Sequence, residues 1–209
     1  MVTCIIISVI AYFIGSINFS IIISKKFAGF DIRDKGSGNA GTTNMLRTVG
    51  RKAAIITLVL DILKGVVAIV IAYIVTLIIK DKQISHILLQ LAGIFVIIGH
   101  TFPIFFTFKG GKAIATTLGV LLMVNWQIGL ICLVFALVLM VLTRIVSVGS
   151  CAAAVLFPVL TIFIHTNYLV PHSNYLIFSI IVSVIILFNH RENIKRLMQG
   201  KENKLSFKK

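Results

Sequence analysis

The segment at residues 36–47 combines closely spaced glycines with neutral hydrogen-bond donors. Glycines let backbone N–H groups approach a phosphate closely. The donors are the side chains of Ser37, Asn39, Thr43 and Asn44. The spacing fits G-x-G-x-x-G, but a dinucleotide-binding motif needs a preceding strand, and this segment lies between two apolar runs. The pattern predicts an anion-binding loop, and a flexible hydrated loop is the alternative that this segment alone leaves open.

A second glycine turn occupies residues 109–112, where Gly110 and Gly111 are followed by Lys112 and an apolar run. If a helix begins here, the turn offers free backbone amides, a positive helix end and an ammonium to an anion. It is not a Walker A motif, because residue 106 is Phe and Ala113 stands where Ser or Thr is required. A plain turn whose lysine reaches the membrane surface is the alternative.

A third polar segment, residues 189–196, follows the last apolar run. If it is helical, His190 and Asn193 share one face at a spacing of three, with Arg196 next. We expect these two residues to be site candidates, since they lie closest to the membrane. The lysines further along the tail are expected to contact anionic lipid headgroups.

The composition is that of an integral membrane protein. The chain of 209 residues is 58% hydrophobic and 12% charged, with a mean hydropathy of +1.06. These values exclude a soluble globular enzyme, a disordered chain and a repeat solenoid. The net charge of +14 therefore indicates membrane topology and anionic ligands rather than nucleic acid. The three cysteines, Cys4, Cys132 and Cys151, have no paired spacing, so neither a disulfide framework nor a metal site is predicted.

Six apolar runs cover residues 2–24, 53–79, 85–108, 113–143, 145–165 and 174–189. We expect the first run to be a span rather than a cleaved leader, because the first basic residue is Lys25. The fourth run is about 46 Å long as a helix, against a hydrocarbon core of about 30 Å. We divide it at residues 125–127, which gives seven transmembrane helices in an all-α bundle.

The basic residues predict the topology. Residues 25–52 and the tail at 191–209 each carry seven Lys or Arg against two Asp or Glu, so both are expected to be cytoplasmic. With seven spans, the N-terminus lies outside and the C-terminus inside. The links at 80–84 and 165–173 then lie outside, and 109–112 and Arg144 lie inside. The chain is predicted to be one domain, residues 1–209, whose polar segments 36–51, 109–112, 147–150 and 189–196 meet at the cytoplasmic face.

Two charged residues lie within the second apolar run. Asp61 and Lys64 are three residues apart, so a helix places them on one face, where they are expected to neutralise each other. We interpret the pair as structural.

Together, these segments resemble the bacterial acyl-phosphate:glycerol-3-phosphate acyltransferases, the PlsY family. The resemblance runs in order from about residue 10 to residue 200 and rests on residues 37–47, 61–65, 99–112 and 190–194. Two positions depart from the family pattern: Ala40 replaces a usual Pro, and Ala113 replaces a usual Gly.

The resemblance implies a multi-pass enzyme of the bacterial inner membrane with a cytoplasmic site. It implies transfer of a fatty acyl group from acyl-phosphate to the sn-1 hydroxyl of glycerol-3-phosphate, giving lysophosphatidic acid and phosphate, the first step of phospholipid synthesis. It implies no cofactor. The residues that it assigns to glycerol-3-phosphate are Ser37, Arg47, Lys112, His190 and Asn193. Those that it assigns to the acyl-phosphate are Asn39, Thr43, Gly110, Gly111 and Ser150.

The sequence leaves two questions open, the identity of the proton acceptor and the choice between an enzyme and a transporter. The proton acceptor is either His190 or the leaving phosphate, and we favour the phosphate because no nearby acidic residue supports a His/Asp relay. None of the five histidines is followed five positions later by Asp, which excludes an H-x4-D acyltransferase and argues against acyl-CoA as donor. A membrane transporter or channel for a phosphorylated anion is the main alternative function; its ligand would sit near the midplane rather than at one face.

Overall fold

A computed structural model describes residues 1–79, 82–164 and 172–205 of the chain. The described residues form helices and turns and contain no strand, as predicted. They group into two compact units, residues 1–124 and a second unit that begins at Asn125. The predicted links at 80–84 and 165–173 fall partly outside the described residues.

The described residues of the first unit form six α-helices and two short 3₁₀ turns. The helices are α1 (Val2–Ser16), α2 (Phe19–Ala28), α3 (Thr42–Thr48), α4 (Arg51–Ile79), α5 (Lys82–Thr101) and α6 (Ile114–Val124). The 3₁₀ turns are Ile32–Asp34, before α3, and Ile104–Phe106, between α5 and α6. The second unit contains α7 (Trp126–Thr143), α8 (Val146–Phe163), α9 (His172–Asn189) and α10 (Arg191–Met198).

Several of these helices are long and apolar enough to cross a bilayer, which makes the chain a multi-pass membrane protein. Within the described residues there are five such spans, or six if the bent pair of α9 and α10 counts as one. The predicted division of the long apolar run is confirmed: α6 ends at Val124, and the side chain of Asn125 caps α7 by accepting the N–H of Ile128 at 3.1 Å. With 11 residues, α6 is about 16 Å long, too short to cross the hydrocarbon core alone.

The first span is broken between α1 and α2. Asn18 caps α2 by accepting the N–H of Ile21 at 3.2 Å. The ammonium of Lys64, on α4, donates to the carbonyls of Gly15 and Ile17 at 3.0 and 2.8 Å. It also pairs with the buried carboxylate of Asp61 at 3.0 Å, so the predicted pair is confirmed. The pair is structural because it satisfies the carbonyls that the break exposes at membrane depth.

Close helix crossings fix the two loops that matter for the site. A Cβ on Gly15 of α1 would collide with the carbonyl of Val96 on α5, and a Cβ on Gly65 of α4 would collide with that of Thr116 on α6. Glycine at these crossings lets the helix backbones touch. The C-terminal end of α5 and the N-terminal end of α6, which flank residues 102–113, are thereby held against α1 and α4.

In the second unit, α8 packs against both α7 and α9. The hydroxyl of Ser183 on α9 donates to the carbonyl of Ala154 on α8 at 2.6 Å. The rings of Phe157, Tyr175 and Phe178 form a cluster with centroids 5.7 to 6.2 Å apart. Beyond Asn189 the chain bends by 62° into α10. This packing sets the position of the bend that carries His190.

Candidate functional site

The first glycine-rich loop is organised by the buried side-chain amide of Asn44. Its Nδ2 donates to the carbonyls of Ile32, Lys35 and Asn39 at 3.0, 3.0 and 3.1 Å. Its Oδ1 accepts the backbone N–H of Ser37 at 3.0 Å. The expectation that Asn44 offers a donor to an anion is therefore wrong, because its amide binds the loop itself.

The loop exposes the candidate side chains around this amide. Gly36 and Gly38 adopt the left-handed φ values of 60° and 70°, and the exposed Ser37 lies between them. Thr43 lies half-buried in the first turn of α3, and Arg47 is exposed in its last turn. The loop and the short helix thus carry the hydroxyl groups and the cation that the sequence predicts at this site.

The second loop differs from its expected form in one respect. The N–H groups of Gly110 and Gly111 donate to the carbonyls of Thr101 and His100 at 3.0 and 3.1 Å. The expectation that these amides are free to bind an anion is wrong, because they complete the end of α5. The expected helix does follow, since α6 begins at Ile114.

Three residues of this loop have the left-handed conformation without being glycine. Thr107, Phe108 and Ala113 have φ values of 56°, 56° and 60°. A side chain in this region costs about 1–2 kcal/mol, so neighbouring contacts must hold the loop in place. Ala113 is the position where the PlsY pattern has glycine, and its left-handed φ gives the physical reason for that preference.

The two loops touch at Gly111. A Cβ on this residue would collide with the carbonyl of Ala40 in the first loop and with the Nε2 atom of His100. Gly111 is therefore confined between the first loop and the end of α5. The predicted meeting of the first two polar segments is present within this unit.

His100 links this contact to the buried charges of α4. Its Nδ1 lies 3.6 Å from the carboxylate of Asp61 and 3.3 Å from the hydroxyl of Thr116. The imidazole thus packs under Gly111 and faces Asp61, which also pairs with Lys64. No role was assigned to His100 from the sequence. His100 and Asp61 lie on different helices, so no helical spacing in the sequence indicates that they are close in space.

The second unit contains the remaining candidates, Ser150, His190 and Asn193. His190 is buried at the bend between α9 and α10, and its Nδ1 lies 2.8 Å from the carbonyl of Ile186. Because a carbonyl only accepts, Nδ1 carries the proton of this hydrogen bond. In the neutral ring, Nε2 is then the atom with the acceptor lone pair.

Asn193 and Arg196 share a partner that the sequence did not indicate. The Nδ2 of Asn193 and the Nε of Arg196 donate to the two carboxylate oxygens of Glu202 at 2.7 and 2.8 Å. Asn193 and Arg196, three residues apart on α10, both face Glu202. His190, which was predicted to share a helix face with Asn193, lies at the N-cap that precedes α10. The tail also returns to the second unit, where the N–H of Leu205 donates to the carbonyl of Arg144 at 2.7 Å.

Ser150 lies buried on α8, and its hydroxyl donates to the carbonyl of Val146 at 3.1 Å. This bond to the preceding turn still leaves the oxygen able to accept a hydrogen bond. The oxygen of Ser150 can therefore still accept a hydrogen bond, whereas its one hydroxyl proton is bound to the carbonyl of Val146.

The comparisons with known proteins place this helical membrane protein in a family. The model of the family described as glycerol-3-phosphate acyltransferase matches residues 5–200. A glycerol-3-phosphate acyltransferase from Clostridioides difficile (strain 630) is 41% identical over 206 residues, which cover 98% of this chain and 97% of the relative. One from Halalkalibacterium halodurans is 42% identical over 199 residues, which cover 95% and 94%.

Solved structures agree with this result. The crystal structure of PlsY, an integral membrane glycerol 3-phosphate acyltransferase, in its glycerol 3-phosphate form is similar with a TM-score of 0.84 and 33% identity, covering 97% of this chain and 96% of PlsY. Its lysophosphatidic acid form gives a TM-score of 0.81 and 32% identity, covering 97% and 95%. The fold and these comparisons define a multi-pass membrane protein of the acyltransferase class. The chain belongs to the glycerol-3-phosphate acyltransferase family.

Proposed function

We propose that this protein transfers a fatty acyl group from acyl-phosphate to the sn-1 hydroxyl of glycerol-3-phosphate. The products are lysophosphatidic acid and inorganic phosphate. The observation that carries the proposal is the contact of the two glycine loops at Gly111, because two anionic headgroups that react must be held close together. The glycerol 3-phosphate and lysophosphatidic acid forms of the similar PlsY support the acceptor and the product.

The residues divide between the two substrates. Those proposed to hold glycerol-3-phosphate are Ser37, Arg47, Lys112, His190 and Asn193. Those proposed to hold the acyl-phosphate are Asn39, Thr43, Gly110, Gly111 and Ser150. For Gly110 and Gly111 the role lies in the tight turn that they allow, since their own N–H groups bind α5. Ser150 binds the phosphate in this proposal by turning its hydroxyl proton from the carbonyl of Val146 to a phosphate oxygen.

The chemistry requires mainly positioning and charge stabilisation, because the acyl carbon of an acyl-phosphate is already activated. The hydroxyl oxygen of glycerol-3-phosphate bonds to this carbon, and the bond from the carbon to the phosphate oxygen breaks. Phosphate leaves with the electron pair. Arg47 and Lys112 offset the repulsion between the two phosphates, each charge-assisted hydrogen bond contributing about 1.5–3 kcal/mol.

We propose that the leaving phosphate accepts the hydroxyl proton and that His190 orients the hydroxyl. The partner of Nδ1 is the backbone carbonyl of Ile186, whereas in a His/Asp relay this atom donates to a carboxylate. Its acceptor atom Nε2 then binds the hydroxyl hydrogen until the proton moves to phosphate.

The proposed setting is the bacterial inner membrane, with the first step of phospholipid synthesis carried out at its cytoplasmic face. Seven spans, an outer N-terminus and an inner C-terminus follow from the charge distribution. In this proposal, α6 is counted as the fourth of the seven spans in chain order, and residues 1–209 act as one domain. Labelling of introduced cysteines at Ser37 and Lys201 in intact cells tests this, since both positions must be inaccessible from outside.

A transporter for a phosphorylated anion is the second candidate. The break between α1 and α2 favours it, because transporters bind ligands at broken helices. Here, however, the carbonyls of Gly15 and Ile17 already bind Lys64, so the break holds a protein cation.

One assay separates these functions. Purified protein in detergent is incubated with labelled glycerol-3-phosphate and either palmitoyl-phosphate or palmitoyl-CoA. Formation of labelled lysophosphatidic acid with palmitoyl-phosphate alone supports the proposal. Product with palmitoyl-CoA alone would contradict the proposal that acyl-phosphate is the donor. The absence of product with either donor would contradict acyltransferase activity and favour the transporter.

A further inference from the structure

Arg33 connects the two glycine loops without being one of the residues assigned to a substrate. It lies in the 3₁₀ turn Ile32–Asp34, which precedes the first loop. Its Nη1 donates to the carbonyls of Phe106 and Lys109 at 2.8 and 3.3 Å. These carbonyls belong to the second loop, residues 102–113, which connects α5 to α6.

The other edge of the same guanidinium is held by a carboxylate. Nε and Nη2 donate to Oδ1 and Oδ2 of Asp31 at 2.9 and 2.8 Å, a two-point pairing that fixes the plane of the group. The hydrogen bond from Arg33 lowers the pKa of Asp31 to about 2, so the carboxylate is ionised at neutral pH. The side chain of Arg33 is therefore oriented by protein groups on two sides.

The carbonyls that Arg33 binds flank the strained part of the second loop. Phe106 and Lys109 lie on either side of Thr107 and Phe108, which both have a φ of 56°. A left-handed conformation at such residues persists only when surrounding contacts hold it. Arg33 supplies contacts on both sides of this pair, from a turn that also adjoins the first loop.

We propose that Arg33 is a positioning residue that fixes the second loop, residues 102–113, relative to the first loop, residues 36–41. This inference rests on the proposed function in one respect, that the two loops serve two phosphate groups. Arg33 acts through the backbone of the second loop rather than through a contact with substrate. Asp31 orients Arg33, and we name this pair of residues the Arg33 bracket (Asp31 and Arg33).

Amide hydrogen exchange tests the bracket without any substrate. The amides to follow are those of Gly110 and Gly111, which are bonded to the end of α5. In Arg33→Ala their exchange is expected to become about tenfold faster or more, because the loop opens more often. Arg33→Lys keeps the charge but not the planar fork, so it is also expected to speed exchange. The matched control is Lys26→Ala, which removes an exposed cation from α2 and should leave the exchange unchanged.

Turnover by the same variants tests the link to catalysis. A displaced loop raises the KM for palmitoyl-phosphate, whereas a smaller folded fraction lowers only the apparent kcat. We expect Arg33→Ala to lower kcat/KM about tenfold or more, with an increased KM, and Lys26→Ala to stay within about twofold of the parent.

Each outcome decides. Faster exchange at Gly110 and Gly111 together with a raised KM supports the bracket. Unchanged exchange in Arg33→Ala overturns it, even if turnover falls, since Arg33 would then act on substrate directly. Parental behaviour of Arg33→Lys in both measurements also overturns it. If Arg33→Ala fails to fold, Arg33→Lys decides alone. If the parent protein forms no product, the proposed function fails, while the exchange comparison still decides the bracket.

Discussion

The side-chain oxygen of Asn44 accepts the backbone N–H of Ser37 at 3.0 Å. The nitrogen of the same amide donates to three carbonyls of the surrounding loop. One buried side chain thus sets the path of the backbone on both sides of a proposed substrate-binding serine. The first loop is preshaped by its own sequence, so ordering it costs little when an anion binds.

Replacing Asn44 with Asp is expected to disrupt the loop. A carboxylate has no N–H to donate, so three carbonyls lose a donor and face a negative charge, at about 1–3 kcal/mol for each buried group left unsatisfied. We expect turnover to fall by about a hundredfold. Gln199→Glu is the matched control, because it makes the same chemical change at an exposed position. Equal turnover in the two variants would contradict this role for Asn44.

Replacing Gly111 with Ala is expected to separate the two loops. The added methyl group would collide with the carbonyl of Ala40 and with His100, so the second loop must shift. A misplacement of about 1 Å near the chemistry costs on the order of a hundredfold in rate. Gly29→Ala serves as control: its left-handed φ of 74° also strains the backbone, but the space around it is open. The control should lose stability and keep kcat/KM, and a parental kcat/KM in Gly111→Ala would refute the close contact.

Glu202 is expected to support Asn193 during catalysis. In Glu202→Gln an NH2 group replaces one of the two carboxylate oxygens that accept from Asn193 and Arg196. One of these hydrogen bonds is then lost, and a charge-assisted bond of this kind contributes about 1.5–3 kcal/mol. We predict a higher KM for glycerol-3-phosphate with a near-parental melting temperature. Glu192→Gln is the control, since this acidic side chain is exposed on α10. The idea fails if both variants show the same KM.

The Asp31 carboxylate is expected to make stability depend on pH. Its pKa falls from 3.8 to about 2 because Arg33 donates to it, with a smaller contribution from Lys25, so folding favours the ionised form. The corresponding stabilisation of about 2 kcal/mol is complete above pH 4 and is lost as the pH falls toward 2. The difference in melting temperature between the parent and Asp31→Asn should therefore be largest above pH 4 and should shrink steadily as the pH falls toward 2. A constant difference across this range would contradict the assignment.

Much of the architecture was predictable from apolar run length and from a few side chains. The division at Asn125 and the pairing of Asp61 with Lys64 follow from local rules of length and helical spacing, and the structure confirms both. The roles of Asn44, His100 and Glu202 were not predictable. Each depends on which carbonyl or carboxylate the fold brings to it, and no spacing along the chain encodes that distance.

The glycine turn at 109–112 also has contacts that the sequence pattern could not predict. Sequence patterning predicts the turn and the helix after it, and α6 begins at Ile114 as expected. It does not reveal that the amides of Gly110 and Gly111 complete α5. Glycine here serves the close approach to Ala40 and His100, and a pattern of small residues cannot distinguish that need from a need for free amides.

A comparison of Lys112→Ala with Lys52→Ala tests whether Lys112 belongs to the site of acyl transfer. Both variants remove one lysine from the first unit, but Lys52 is exposed at the start of α4 and is not one of the residues proposed to bind substrate. Formation of labelled lysophosphatidic acid from palmitoyl-phosphate and glycerol-3-phosphate is measured for the purified proteins. We predict that Lys112→Ala loses about 10- to 100-fold in kcat/KM and that Lys52→Ala stays within about twofold of the parent. Equal rates in the two variants, or no product from the parent protein, would contradict it.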